Sequence, residues 1–199
     1  MNKTEIVTER IKLRLIDLSD LESIHDLHSL PETDAYNALG IPETIEETKS
    51  VIQPWILEHQ LKEIKNYTFA IDNKLNGTFI GLFGLKIGNK KYKRAEVWYK
   101  IHSDYWNHGY ATESLKAIIS FGFETLKLHR IEAGCAVGNI GSFKVLEKAG
   151  MIREGRLRQV LPLKTGWSDN FEYSILETDD RKNKLKTFKV LNYFPNLVN

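Results

Sequence analysis

Apolar residues change their spacing several times along this chain, and each change marks an element. From Arg10 to Ile16, charged or basic residues alternate with Ile11, Leu13 and Leu15, the period of a strand with one face to water. Ser19 with Glu22 makes a capping-box pair ahead of Ile24, Leu27 and Leu30. Thr44 with Glu47 makes a second ahead of Val51, Ile52 and Trp55. Two helices are therefore expected, the second kinked or split at Pro54. The β-rich runs Thr68–Ile71 and Thr78–Leu85, separated by an Asn76-Gly77 turn, predict a hairpin, and Arg94–Ile101 supplies a third strand. Ala111, Leu115, Ile118, Gly122 and Leu126 then recur at three and four residues, which predicts an amphipathic helix from about Gly109 to Lys127. Ile131–Val137 reads as a buried strand and Gly141–Lys148 as a short helix ended by Gly150. Met151–Leu161 and Asn170–Leu176 read as a closing hairpin turning over Leu161–Asp169. The resulting order, β, α, α, β, β, β, α, β, α, β, β, is that of an α/β protein: a mixed sheet with helices on both faces. It excludes a helical bundle and a sandwich.

Composition narrows this further. The chain has 199 residues, 42% hydrophobic and 27% charged, enough to bury one sizeable core, and no repeat or low-complexity linker divides it. One domain is expected over residues 1–180. A basic and aromatic extension follows over 181–199, with five Lys or Arg and no acid between Arg181 and Lys189, read as a solvated appendage. A formal net charge of +2 is too balanced for a dedicated nucleic-acid or membrane-surface binder. The single Cys135 precludes an internal disulfide, no apolar run nears the ~18 residues of a membrane span, and no Cys/His spacing suits zinc. A cytoplasmic, metal-free protein, monomeric or homodimeric, is the expectation.

The chemistry concentrates where the third strand hands over to the long helix, at Trp106, Asn107, His108, Gly109, Tyr110, Ala111, Thr112 and Glu113. A helix start exposes unpaired amides of partial positive charge, and Gly109 and Ala111 let a large anion such as pyrophosphate approach them. One Gly and one Ala in that place fit a bare structural turn equally well. The longer pattern is more specific. Arg94-Ala95-Glu96-Val97-Trp98-Tyr99, followed by Asp104-Tyr105-Trp106 through Glu113, resembles the acyl-CoA motif of the GNAT N-acetyltransferase superfamily. Asn139, Ser142 and Val145-Leu146-Glu147-Lys148-Ala149-Gly150 are similar to the Asn-x-x-Ser helix, with terminal Glu-Lys-x-Gly, of its RimJ/RimL-like branch. Spacing and element order agree from about Glu9 to Thr178. Trp106 stands where the family motif starts with Gln or Arg, a substitution that this branch tolerates.

The resemblance implies the GNAT fold, with a mostly antiparallel mixed sheet, and acetyl-CoA as co-substrate. It implies that amides around Asn107, His108, Gly109, Tyr110, Ala111 and Thr112 hold the CoA pyrophosphate. The strand at Tyr99, Lys100 and Ile101 would pair with pantetheine, and Asn139 and Ser142 would meet the thiol end. Asn139 alone would read as a helix N-cap. Glu96 alone would read as a surface glutamate paired with Lys or Arg; the resemblance makes it a base or water-positioning group. Many family members carry an acidic Tyr where this chain has Leu146, so Ser142, the acid assigned in RimL-like enzymes, a water or no acid at all serves the thiolate. Trp98, on the face of Glu96 by alternation, and Tyr36, in the segment Asp34–Leu61, are the acceptor-side candidates. The implied activity is direct acetyl transfer to a primary amine. A protein N-terminal α-amine is the first acceptor, a polyamine or other small amine the alternative, and a non-catalytic acyl-CoA-binding module the reading from another class.

Several residues are set aside. Cys135 reads as a small buried hydrophobe, and Glu113 as an acid favoured by the helix dipole. His25 and His28 are three apart and form no i, i+4 metal pair. The basic run Lys86, Lys90, Lys91, Lys93 and Arg94 reads as a solvated hairpin edge, although it is also compatible with RNA, an acidic protein or the CoA 3′-phosphate.

Overall fold

Alternation in Ile11–Leu15 places Ile11 and Leu13 in the core and leaves Lys12 and Arg14 half-buried on the opposite side, so this strand (β2) forms as its pattern dictates. It pairs with a three-residue strand before it, β1 (Glu5–Val7). The computed structural model describes residues 4–180 and 188–193. Three helices follow: α1 (Leu21–Ser29), α2 (Pro31–Asp34) and α3 (Ile45–Glu58). The hairpin of β3 (Asn66–Asn73) and β4 (Phe79–Ile87) comes next, then β5 (Arg94–Ile101) and α4 (Tyr110–Ser120), which runs on through one wide turn, Phe121–Thr125. The chain continues with β6 (Arg130–Ala136), α5 (Ile140–Lys148) and the long hairpin of β7 (Ile152–Leu163) and β8 (Gly166–Leu176), and it returns at β9 (Lys189–Leu191).

Among the described residues these strands form one sheet in the order β7-β8-β6-β5-β4-β3-β2-β1-β9, antiparallel throughout except for the parallel pair β5–β6. Opposite faces carry separate cores. Phe69 and Phe83 are paired across β3 and β4 and face a cluster that includes Leu115, Ile118 and Phe121 of the α4 segment. Their neighbours Ala70 and Leu82, also paired, turn the other way, onto Ile24 and Leu27 of α1 and Ile52 of α3. Two helical layers on one sheet follow from that alternation. None of the described helices is long and apolar enough to cross a membrane.

Several expectations are corrected. The first capping box belongs to Asp17 and Asp20, not Ser19 and Glu22. Asp17 accepts from the Ser19 amide and Asp20 from the Asp17 amide, at 2.8 and 2.9 Å, because Arg14 pins the Asp20 carboxylate through two bonds. Thr44 does cap α3, but Glu47 reaches the Glu43 amide rather than that of Thr44. Pro54 neither splits nor ends α3, since both Pro54 and Ser50, whose carbonyl loses its partner, lie on the exposed side where water takes over. The closing hairpin is longer than expected. Leu161–Asp169 is mostly strand, and the turn is confined to residues 164–165 before Gly166, at φ +112°. Register shifts around Gly155 and between Leu157 and Leu161, with Gln159 at φ +48°, break the alternation that would have revealed it. The extension is not wholly a solvated appendage: β9 pairs with β1, and the Tyr193 ring meets Phe121 edge-on at 5.7 Å. Residues 181–187 and 194–199 lie outside the described residues.

The close approach of β4 to β5 depends on Gly81, where a Cβ would stand 2.3 Å from the Lys100 carbonyl oxygen and 2.9 Å from Ile101 Cα. Gly81→Ala is expected to lower stability by about 1–3 kcal/mol, seen as a lower urea midpoint with an unchanged slope.

Candidate active site

The site begins with a strand pair that stops early. Main-chain pairing of β5 with β6 covers only Arg94–Glu96 against Arg130–Glu132. Beyond that β6 stays with β8, β5 stays with β4, and the facing edge of Val97–Ile101 has no partner strand among the described residues. A wedge therefore opens towards the C-terminal ends of both strands. Expected cofactor residues Tyr99, Lys100 and Ile101 lie along its β5 wall.

At its open end the chain turns into α4. The Trp106 indole N–H caps the Ile101 carbonyl at 2.8 Å, and Asn107 and Gly109, at φ +64° and +81°, swing the backbone round. Both angles lie in the left-handed region, where Gly carries no steric cost. The first intrahelical bond runs from the Glu113 amide to the Gly109 carbonyl at 3.0 Å, so the amides of Tyr110, Ala111 and Thr112 have no intrahelical acceptor. Pattern reading of this stretch missed Arg10. Its guanidinium holds Glu113, donates to the His108 carbonyl at 3.0 Å and lies over the Tyr110 ring. Glu113 also accepts from the Thr8 hydroxyl at 2.6 Å and the Arg10 amide at 3.1 Å. It is a buried strut that ties the helix start to the β1–β2 turn, and Arg10 adds positive charge there.

On the α4–α5 side, Asn139 caps α5 by accepting from the Ser142 amide at 3.0 Å. The Ser142 hydroxyl lies 2.9 Å from the Tyr99 phenol, which also donates to the Ser142 carbonyl at 3.2 Å. This contact spans 43 positions of sequence and had no local signal. Burial pushes the Tyr99 hydroxyl above its usual range despite the Ser142 bond. Cys135 sits beside them, its thiol pushed up to about 11 by burial against the opposing Ser142 bond. Leu146 is 1% exposed and is a core residue.

The opposite face carries Glu96, Trp98 and Lys100, in register with Lys86, Gly84 and Leu82 of β4. Trp98 lies over Gly84, where a Cβ would meet the indole at 2.0 Å, and its ring is 5.6 Å from Trp55 of α3. Glu96 is exposed and has no hydrogen-bond or ion-pair partner shown among the described residues. Tyr36 reaches the end of β6, its ring 3.0 Å from where a Gly138 Cβ would be. His28, Asp34 and Lys100, each at least 95% buried, gather on this face. Burial above all, then Lys100 and His25, push His28 down to about 4 against the pull of Asp34. Burial lowers Lys100 as well. The described residues include no group of three or more His, Cys, Asp or Glu placed to hold a metal.

Residues 10–152 match the family model of the acetyltransferase (GNAT) domain. The chain is 33% identical over 170 residues to the N-acetyltransferase YoaA of Bacillus subtilis, covering 85% of this chain and 95% of YoaA. The chain thus belongs to the GNAT acetyltransferases, a family of N-acetyltransferase enzymes. Two solved structures show the same fold. Ribosomal-protein-S5-alanine acetyltransferase from Vibrio fischeri superimposes with a TM-score of 0.77 at 23% identity, covering 88% of this chain and 97% of that one. Spermidine N-acetyltransferase from Vibrio cholerae, in complex with CoA and spermine, does so with 0.74 at 23%, covering 83% and 95%. At that identity the likeness speaks for the fold and not for the acceptor.

His28 generates a pH prediction. Its folded-state value near 4 lies below the unfolded value of 6.5, so the unfolded chain binds more protons between those limits. The stability from keeping His28 neutral is complete above about pH 6.5 and is lost as pH falls towards 4, about 3 kcal/mol in all. Urea midpoints at pH 7.5 and 5 are expected to differ less in His28→Gln than in the parent.

Proposed function

We propose that the protein is an acetyl-CoA-dependent enzyme of the RimJ/RimL-like type that moves acetyl directly onto a protein N-terminal α-amine. The observation that carries this is the wedge between β5 and β6, with an amide-rich helix start and the Tyr99–Ser142 hydroxyl pair on one side and Glu96 on the other. The residues present suit CoA. Open amides before Glu113, with Arg10 beside them, match a diphosphate, and the unpaired edge of β5 matches an extended pantetheine arm. Bound acetyl-CoA supplies the activated thioester.

The chain's own residues then have three tasks. Glu96, on the acceptor side at the closed end of the wedge, takes the proton of the incoming ammonium, directly or through water, because only the neutral amine attacks. A β5 amide near Tyr99 meets the developing oxyanion. Ser142 donates a hydrogen bond from its hydroxyl to the departing sulfur, and the Tyr99 phenol, 2.9 Å from that hydroxyl and donating to the Ser142 carbonyl, holds the serine in place. Serine alone is a poor acid, so its part is to hydrogen-bond the sulfur as negative charge develops. The raised thiol of Cys135 supports direct transfer over an acyl-cysteine. The α-amine acceptor rests on the branch motif Asn139-x-x-Ser142 with Glu147-Lys148-x-Gly150.

Thiol release from acetyl-CoA, measured with peptide α-amines, polyamines and small amines, tests the activity. Glu96→Gln is expected to lower kcat/KM by about 10²–10³-fold and Ser142→Ala by about 10²-fold. Release at the background rate with every amine would make the chain a binding module, and parental rates in both variants would remove these residues from the chemistry.

A further inference from the structure

Two buried polar side chains on the acceptor face have no task in the transfer step. Lys100 is 5% exposed, and its Nζ has no hydrogen-bond partner among the described residues. Asp34 is 2% exposed, and neither of its oxygens is hydrogen-bonded there. Its one ion pair among the described residues is with Lys164 Nζ, from the β7–β8 turn, 2.9 Å from Oδ2, without the alignment of a hydrogen bond. Lys164 is 63% exposed and the Asp34 side chain 1%, so a ligand that takes the place of Lys164 must itself satisfy the buried carboxylate. Asp34 and Lys100 stand close enough for each charge to act on the other.

Their placement is specific. Lys100 is the penultimate residue of β5, on the side of Glu96 and Trp98. Asp34 ends α2, two residues before Tyr36, whose ring closes on Gly138 at the end of β6. The pair thus stands beside the mouth of the wedge, on the face of Glu96 and Trp98, with the Lys100 Nζ and both Asp34 oxygens buried until an acceptor displaces Lys164. Proteins seldom leave buried donors and acceptors unmatched, because each forgoes its bonds to water. A buried ammonium with no hydrogen-bond partner, beside a buried carboxylate held by one lysine alone, fits a ligand that offers an acceptor oxygen and a donor N–H near each other. A peptide unit does so. An alkyl polyamine offers cations to a place already holding two lysines and leaves Lys100 unmatched.

We infer that Lys100 and Asp34 are a specificity pair that reads the first peptide unit of the acceptor. Lys100 Nζ donates to the carbonyl oxygen of the acceptor's first residue, and Asp34 accepts from the N–H of its second as Lys164 gives way. This rests on the amine-acetylating reading and narrows it to peptide α-amines. A site built around such bonds discriminates strongly against a ligand lacking the partner groups.

Calorimetric binding to the CoA-saturated protein tests the pair without turnover, using a tripeptide amide with a free α-amine and an alkyl diamine of similar length. The parent is expected to favour the tripeptide by about tenfold or more. Lys100→Met and Asp34→Leu, apolar replacements of similar shape, should each remove most of that preference, with the CoA affinity of Asp34→Leu unchanged. Should one variant fail to fold by near-ultraviolet circular dichroism, the other carries the comparison. A parent that binds the diamine as well as the tripeptide, or a preference that survives in the folded variants, overturns the inference. Thiol release reads the catalytic proposal separately: tripeptide preference without turnover would sink the catalysis and keep the pair, and turnover without preference would do the reverse.

Discussion

The three-residue parallel contact between β5 and β6 governs the rest of the site. A sheet this wide would ordinarily pair its central strands along their length. Here each strand is satisfied on its outer side, β5 by β4 and β6 by β8, and the inner edges separate after Glu96 and Glu132. An unpaired edge in the middle of a sheet leaves backbone groups without partners, a state that proteins avoid unless something else supplies the bonds. The same separation lets one face of the sheet communicate with the other. Tyr99 and Ser142 meet on the α4–α5 side, and Glu96, Trp98 and Lys100 lie on the side of α1–α3.

Charge is distributed around that opening in two ways. Glu113 and Arg10 consume each other: the carboxylate is filled by the Arg10 side chain and amide and by Thr8, so it fixes the helix start and has nothing left for a substrate. Asp20 with Arg14 does the same below α1. Lys100 has no hydrogen-bond partner among the described residues, and Asp34 has only its ion pair with Lys164. Carboxylates that look alike in the chain thus divide into struts and recognition candidates, and what separates them is the number of donors within reach of each.

Legibility followed the range of the interactions. Strand β5 and the hairpin before it are visible because their alternation and the Asn76-Gly77 turn are local, and α5 because Asn139 and Gly150 bracket it. The Asp17–Asp20 box was missed because Ser19 and Glu22 satisfy the same local rule, and Arg14, on the preceding strand, decided between them. β1 and β9 are three residues each and exist through one another. β7 hid behind its own bulges. At the candidate site, the helix start and the Asn139/Ser142 pair were legible as motifs. The phenol of Tyr99, the guanidinium of Arg10 and the charges of Lys100 and Asp34 were not, because their partners are strands away.

Sequence by itself determined most of the elements and their order, the two-faced sheet and the turn from β5 into α4 with its open main-chain amides, since period, caps and turns act within a few residues. Only the tertiary structure decided where β5 leaves β6, which hydroxyl stands beside Ser142 and that the buried Lys100 ammonium has no hydrogen-bond partner among the described residues. Those outcomes depend on packing and desolvation between segments up to a hundred residues apart, and no local pattern encodes which of several equivalent side chains ends up within 3 Å of another.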